Sequence, residues 1–552
     1  MKTKFTFGIF LLLTLTLAAQ SPVVVQNGNL RSYFSPRGLA NDFSEYGPIL
    51  SYFDEADQTY KPLAIAAALW VGSRSPDGAL SLNARTYGNQ AAAPGDLLPK
   101  VFQVSGDQIL AHQADYQDNG QIDNPLPEVF GWPAFGNPYF SDYHDGLALP
   151  GVDPEMLAPF EDVDNDGFYD PAAGDFPVLG EEGCADFEGY HIIPTQMNWC
   201  LYELESAASA TAYLVQANLF YFQCQENNAL NNTLFLKHKV QKALETPGAD
   251  NYWSLWADLE LGNGLDDYVG SFPERELAFV YNADNEDENS GLFPGFGENP
   301  PVFGIKVLGG PNEVPNQPLP LSSLMHYFNG SSGNFPAPTS DPTNDEEFFN
   351  YMTGKWRDGQ PLTEGGLGYS GAQVAAFAFP GLPAQEDGWT EHSNSNPLGD
   401  RRVLLNYGPF SDYAVGDIKT LHTAFVYSDD GTDHLSQAET LQMRSDSIQG
   451  FFLNCYSPEG LGFQPCNLVL TGTDALAAAP PKVEAFPNPT SGQLQIEAEV
   501  PLETVELLDL QGRRVCEGAT PSPLDLSHLP RGVYVLRIRA EGQLIHKKII
   551  RQ

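Results

Sequence analysis

The stretch EDVDNDGFYDPAAGDFP, residues 161 to 177, is the densest run of chemically capable side chains in the sequence. Asp162, Asp164 and Asp166 alternate with other residues, Gly167 follows, and Asp170 comes just before Pro171. Calcium takes about six to eight oxygen ligands, and closely spaced carboxylates on a tight loop supply them. Counted from Asp162, the aspartates fill positions 1, 3 and 5 of such a loop. Gly167 permits the sharp turn, Phe168 offers its carbonyl at position 7, and Asp170 stands at position 9. The competing reading is a solvated acidic turn. If an ion is held, its role is structural, because a fully coordinated hard cation keeps no open position for substrate.

A helix-flanked calcium hand places glutamate at position 12, but that residue is Ala173, and DPAAGDFP blocks a following helix. The loop is closer in pattern to the calcium loops of thrombospondin type 3 repeats, with Asp175 or Glu181 available to complete the shell. Asp115, Asp118, Asn119 and Asp123 in DYQDNGQIDNP form a weaker version. In ADLELGNGLDDYVG, Asp258 and Glu260 share a face if the segment is a strand, since side chains alternate with period two. The loop that follows can bring Asp266 and Asp267 alongside, giving a second calcium site or merely strand-end carboxylates. NADNEDENSG reads as a solvated loop.

Other chemistries find less support. GYSGA, with Ser370 central, has the outline of a nucleophile elbow, which needs a strand before the serine and a helix after it. LTEGGLG is a poor strand, and nothing in the sequence places His392 or His422 near Ser370 as a base. HExxH, Walker and dinucleotide loops are absent, and the ten histidines are scattered. So many acids make any choice of a glycosidase pair arbitrary. Trp132, Phe135, Tyr139, Phe140, Trp356 and Tyr369 lie in Pro/Gly-rich loops, where they either stack on sugar rings or form small cores.

The elements that must hold these residues are mostly strands. The chain has 552 residues with 52 Gly and 44 Pro, which favours turns and short strands. TAYLVQANLFYFQC, NTLFLKHKVQKA, YWSLWADLEL, RELAFVYNA and TLHTAFVYS are rich in aromatic and β-branched residues at strand length. Residues 100–190 and 285–400 read as loops. DHLSQAETLQMRSDSIQGFFLNC is the one helix expected, capped by Asp433, with Leu441, Ile448 and Phe452 on one face. The fold class is therefore mostly β: a β-rich body with long Gly/Pro loops and one helix near its end, then a small immunoglobulin-like sandwich of alternating strands from 483.

Net charge is −43, yet Pro480 to Gln552 carries nine basic and nine acidic residues, so the acidic excess falls on the body. Such a surface repels nucleic acid and anionic lipid. Lys2 and Lys4, the apolar run Phe5 to Leu17 and Ala18-Ala19 read as a signal peptide over 1–19, followed by a body over 20–470 of one or two subdomains and a linker over 471–482. No later stretch reaches the ~20 apolar residues that span a bilayer. Six cysteines suit an oxidising compartment. Cys455 and Cys466 are expected to pair; Cys184 pairs with Cys200, or else with Cys224 in its place; Cys516 is expected to be a buried thiol.

The C-terminal segment resembles the type A sorting domain of type IX secretion cargo in Bacteroidetes. The resemblance rests on Pro487-Asn488-Pro489 with Ser491-Gly492, LLDLQGRRV with Asp509 and Gly512, LDLSHLPRGVYVLRI, and Lys547-Lys548-Ile549-Ile550. It implies recognition by the outer-membrane machinery and delivery to the cell surface or medium. Body blocks such as LWVGSRSPDGALSLNARTYG and VDNDGFYDPAAGDFP look like those of large secreted proteins with the same tail, a set that implies no particular activity. Two functions compete for the body: a calcium-stabilised protein that binds an extracellular glycan or protein ligand or acts in adhesion, and a secreted hydrolase of polysaccharide or protein. The weakness of every testable hydrolase signature favours the first.

Overall fold

The computed structural model describes residues 22–39, 46–84, 86, 97–180, 192–205, 211–224, 228–246, 249–314, 317–330, 335–410, 413–456, 483–488, 490–498, 500–508, 514–518, 523–540 and 543–551. The expected signal peptide and linker, Glu181, Cys184 and Cys466 lie outside these residues, as does the side chain of Cys516.

Two eight-stranded antiparallel sheets make the body. The first runs Val23–Asn27, Leu30–Phe34, Leu50–Asp54, Thr59–Arg74, Asp250–Leu259, Arg401–Phe410, Ser323–Phe328, with Leu80–Asn83 also paired to Thr59–Arg74. The second runs Asp267–Phe272, Leu277–Asn282, Val302–Gly309, Ile418–Ser428, Thr233–Lys242, Thr211–Tyr221, Gln196–Glu205, Phe102–Ser105. Distant segments thus become neighbours: Asp258 faces Arg402 across two paired strands.

Period-two alternation builds the layers. Along Thr211–Tyr221, Val215, Ala217 and Leu219 enter a core shared with the first sheet, including Trp70 and Trp256, whose rings stack at 5.7 Å. Leu214 and Phe220 point the other way, into a second core roofed by a helix and by loops. That roof contains the expected C-terminal helix, Gln437–Leu453. Leu441 and Ile448 are buried in it and Phe452 packs at its edge. The expected cap Asp433 is not the N-cap, which is Ser436; the Asp433 Oδ1 accepts from the N–H groups of Leu435 and Ser436 in the turn that leads into the helix.

The expectation of a single helix is corrected: among the described residues two further helices reach eight residues or more. Gly106–Asn119 begins with a capping box between Ser105 and Gln108 and ends at Gly120 in the left-handed region, φ 77°. Its buried side includes Ile109, His112 and Gln113, too polar to show as a hydrophobic stripe. Asp345–Met352 is capped by the Asn344 side chain. Among the described residues no helix is long and apolar enough to cross a membrane.

The tail is a small sandwich. Val483–Phe486, Gln493–Ala498 and Leu524–Asp525 form one sheet; Arg514–Gly518, Leu502–Leu508, Gly532–Ala540 and Gln543–Arg551 form the other. Leu494 and Ile496 of the first meet Leu507, Leu536, Ile538 and Ile549 of the second in a separate core. Tyr534, Leu536 and Ile538 are all buried, as their alternation predicts.

Candidate functional site

The loop at 162–170 is folded by its own carboxylates. Asp162 accepts from the N–H of Asp166 at 3.1 Å and of Gly167 at 2.7 Å, and Asp166 accepts from the N–H of Phe168 at 2.8 Å. Asn165 and Gly167 turn the chain at φ 60° and 84°. Asp162, Asp164 and Asp166 consequently each offer an oxygen within 4.8 Å of the others. Desolvation, with the charges of Asp166 and Asp162 behind it, raises the Asp164 carboxyl above its ordinary value.

Asp170 and Asp175 have different tasks from the first three. The Asp170 side chain accepts from the N–H of Ala172 and caps the turn at Pro171–Ala173. Asp175 is fully buried, with its oxygens on the N–H groups of Val163 and Asp170 at 2.8 and 2.7 Å. Burial pushes its carboxyl up to about 6. Phe168 is exposed and stacks on Phe135 at 5.5 Å, and Tyr169 is fully buried with its hydroxyl donating to Val129 O. The acidic face is therefore strapped to the second core from beneath. A similar convergence occurs at Asp115, Asp118 and Asp123, where Asn119 donates to Asp123 at 3.0 Å.

The four residues expected to form a second site divide. Asp258 lies against Arg402 at 3.2 Å, and Arg402 also meets Asp400. Its carboxylate thus has a protein counter-charge, which removes the electrostatic reason to place it in a cation shell. Glu260, Asp266 and Asp267 do gather, and Asp287 joins them. Asp287 comes from the segment that reads as a solvated loop; that reading is corrected, since Asp287 is 1% exposed and accepts from Asn263 N at 3.2 Å and Phe296 N at 2.7 Å. Burial, reinforced by neighbouring carboxylates, pushes Glu260 up to about 9 and Asp266 to about 7. It also raises Asp267 far above the ordinary range.

Elsewhere the aromatic residues of the loops resolve mainly as core. Trp132 and Trp356 are fully buried, and their indole N–H groups donate to Pro159 O and Gly368 O. Phe140 is likewise buried. Ser370 adopts φ 61° on an exposed turn, without a strand before it or a helix after it. His392 lies against the His434 ring, and His422 against Phe452.

The pairing of Cys184 with Cys200 is overturned. Cys200 is a free thiol, because strand alternation points it into the dry core between the sheets, opposite Ala217. Burial pushes this thiol up to about 12. Cys224 is disulfide-bonded, as is Cys455.

Residues 484–552 match the secretion system C-terminal sorting domain. The tail thus marks the chain as cargo that engages the type IX secretion machinery and is exported to the cell surface or extracellular space. No curated protein matches the chain. Among solved structures, a polysaccharide lyase is 8% identical, with 74% of this chain and 42% of that chain covered and a TM-score of 0.16. The Pichia pastoris lysyl oxidase is 11% identical, with 75% and 52% covered and a TM-score of 0.23. The chain spans about half or less of either structure's length, and neither score supports an argument about fold or function.

Proposed function

We propose that the body is a calcium-stabilised extracellular binding protein, delivered by its tail, that recognises a glycan or protein ligand or acts in adhesion. The observation that carries this reading is the convergence of the Asp162, Asp164 and Asp166 carboxylates on a closed loop strapped to the core. Oxygen donors of this kind suit a hard cation held for structure. Support for binding over hydrolysis comes from the placement of the remaining chemistry. Asp258 and Glu391 are buried in ion pairs with Arg402 and Arg401, and Ser370 has neither the flanking elements nor a histidine contact among the described residues.

The test uses the purified chain with calcium present. On immobilised polysaccharides and extracellular proteins it should be retained in a calcium-dependent manner, and the same polysaccharides and casein in solution should remain intact. Turnover of any of them would overturn the reading.

A further inference from the structure

We propose that a pocket on the outer face of the second sheet binds a small hydroxylated carboxylate, of the size and class of one uronic acid unit of an acidic glycan. The inference rests on the reading of the body as a ligand-binding protein and names a place and a chemistry for that ligand.

The pocket begins as a break in an alternating pattern. Along Thr211–Tyr221, Leu214 and Phe220 enter the second core. Between them, period two puts Gln216 and Asn218 on the same face. On the next strand, Lys237 and Lys239 follow the core residue Phe235 in the same way. Register gathers these residues. Asn218 stands opposite both Lys237 and Trp199, and Gln216 stands opposite Lys239. The loops above do not fill the space: a cavity of about 200 Å³ is lined by these five residues and by parts of the segments 154–160 and 179–180, Leu157 and Phe160 among them.

Gln216, Asn218 and Lys237 are buried, and buried amide and ammonium groups are costly without partners. Two of them are tied to the loops. Gln216 Nε2 donates to Leu157 O at 2.8 Å, and Lys237 Nζ donates to Gly180 O. Two other atoms of the lining residues are left over: Asn218 Oδ1 and Trp199 Nε1 are buried without a hydrogen-bond partner. The first calls for a donor and the second for an acceptor.

Charge and size select the ligand class. Lysines two residues apart on one strand face lie about 7 Å from one another along the strand. The one acid among the described lining residues, Glu155, is exposed. In a chain of net charge −43, this local concentration of positive charge attracts an anion. Sulfate is far smaller than the cavity and has no hydrogen to give Asn218. An apolar cavity of about 150 Å³ admits benzene, so the space here takes one six-membered ring with substituents. A uronic acid brings a carboxylate to the lysines, hydroxyls that donate to Asn218 Oδ1 and accept from Trp199 Nε1, and a ring face to lie on Phe160 and Leu157.

Ligand-observed NMR on the full chain measures the dissociation constant of D-glucuronate directly and those of D-glucose and sulfate by competition. Glucuronate should bind at least tenfold more tightly than either. Lys239 is only half-buried, so Lys239→Met should keep the parent's melting temperature while weakening glucuronate roughly tenfold or more, the loss of one charge-assisted hydrogen bond. Lys239→Arg should restore most of the affinity. Absence of glucuronate binding, equal affinity for glucose or sulfate, or parent affinity in Lys239→Met would each overturn the pocket. Glucuronate binding that is equal in calcium and chelator, without calcium-dependent retention on immobilised polysaccharide, would support the pocket and overturn the calcium-dependent reading; retention without glucuronate binding would do the reverse.

Discussion

Replacing Asp164 by alanine isolates what calcium contributes at the exposed loop. Asp164 is exposed, and its carboxylate accepts from Asp166 N at 3.3 Å. Its loss should therefore remove an ion ligand without opening a cavity. Extracellular calcium modules bind with dissociation constants of about 10⁻⁴ to 10⁻³ M. At ~2 mM calcium the linkage relation gives a stabilisation of roughly 0.6 to 1.8 kcal/mol. A body of ~450 residues unfolds with an entropy near 1 kcal/mol/K, so the melting temperature should rise by only about 1 to 2 °C. Differential scanning calorimetry resolves a shift of that size. Asp164→Ala should lose most of it, and in chelator the variant should melt no lower than the parent, because three converging like charges become two. Two results would refute the reasoning: identical parent melts in calcium and chelator, or a variant that keeps the full calcium response.

Two further outcomes follow from buried groups. Arg401 and Glu391 are both at most 1% exposed and paired, with Arg401 Nε 2.9 Å from Glu391 Oε1; Glu391→Gln leaves the guanidinium without its counter-charge and should cost about 3 to 5 kcal/mol in urea unfolding, whereas adding Arg401→Met should recover much of that loss. His238 and His326 are held neutral by burial, at about 4 and about 3, with Arg401 a further cause for His326. The unfolded chain binds their protons from about pH 6.5 downward, so their contribution is full above that pH and falls toward pH 4, by up to ~1.4 kcal/mol per pH unit for each histidine; the raised carboxyls of Asp175 and Glu260 act in the opposite direction, so the check is His326→Gln, whose unfolding free energy should lose less than the parent's between pH 7 and 4.5, and an identical pH dependence of the two would contradict this.

The features legible in the sequence were those set by local spacing. The DxDxDG pattern folds through contacts two to five residues apart, so its convergence could be read from the order of residues alone. The tail was legible for a related reason: its strands lie close together in sequence, and alternation at Tyr534, Leu536 and Ile538 states the buried face directly. The helix at Gly106–Asn119 was missed because its buried face includes His112 and Gln113, although the Ser105 and Gln108 capping signal was present. Trp132 and Trp356 show the limit of composition, since Pro/Gly-rich segments around an aromatic residue look alike whether the ring faces solvent or anchors a roof.

The acidic residues make the deeper point. In a chain with 71 of them, the type of a residue does not reveal whether its charge is answered. Asp258 is answered by Arg402, 144 residues away in sequence, and Glu391 by Arg401, ten residues away. Asp267 and Asp287 are equally buried, but the acids around them repel one another and the local lysine and arginine are already committed. Register across paired strands decides between these fates. In one sheet the register gives Asp258 an arginine, and in the other it sets Asp267 opposite Asn282. A carboxylate opposite arginine becomes part of the scaffold, whereas one opposite another oxygen needs a proton or a cation. Burial and like charges raise Asp267 far above the ordinary carboxylate range, so a proton answers it at neutral pH, and a dependence of stability on calcium is expected at the exposed loop, whose carboxylates converge in solvent.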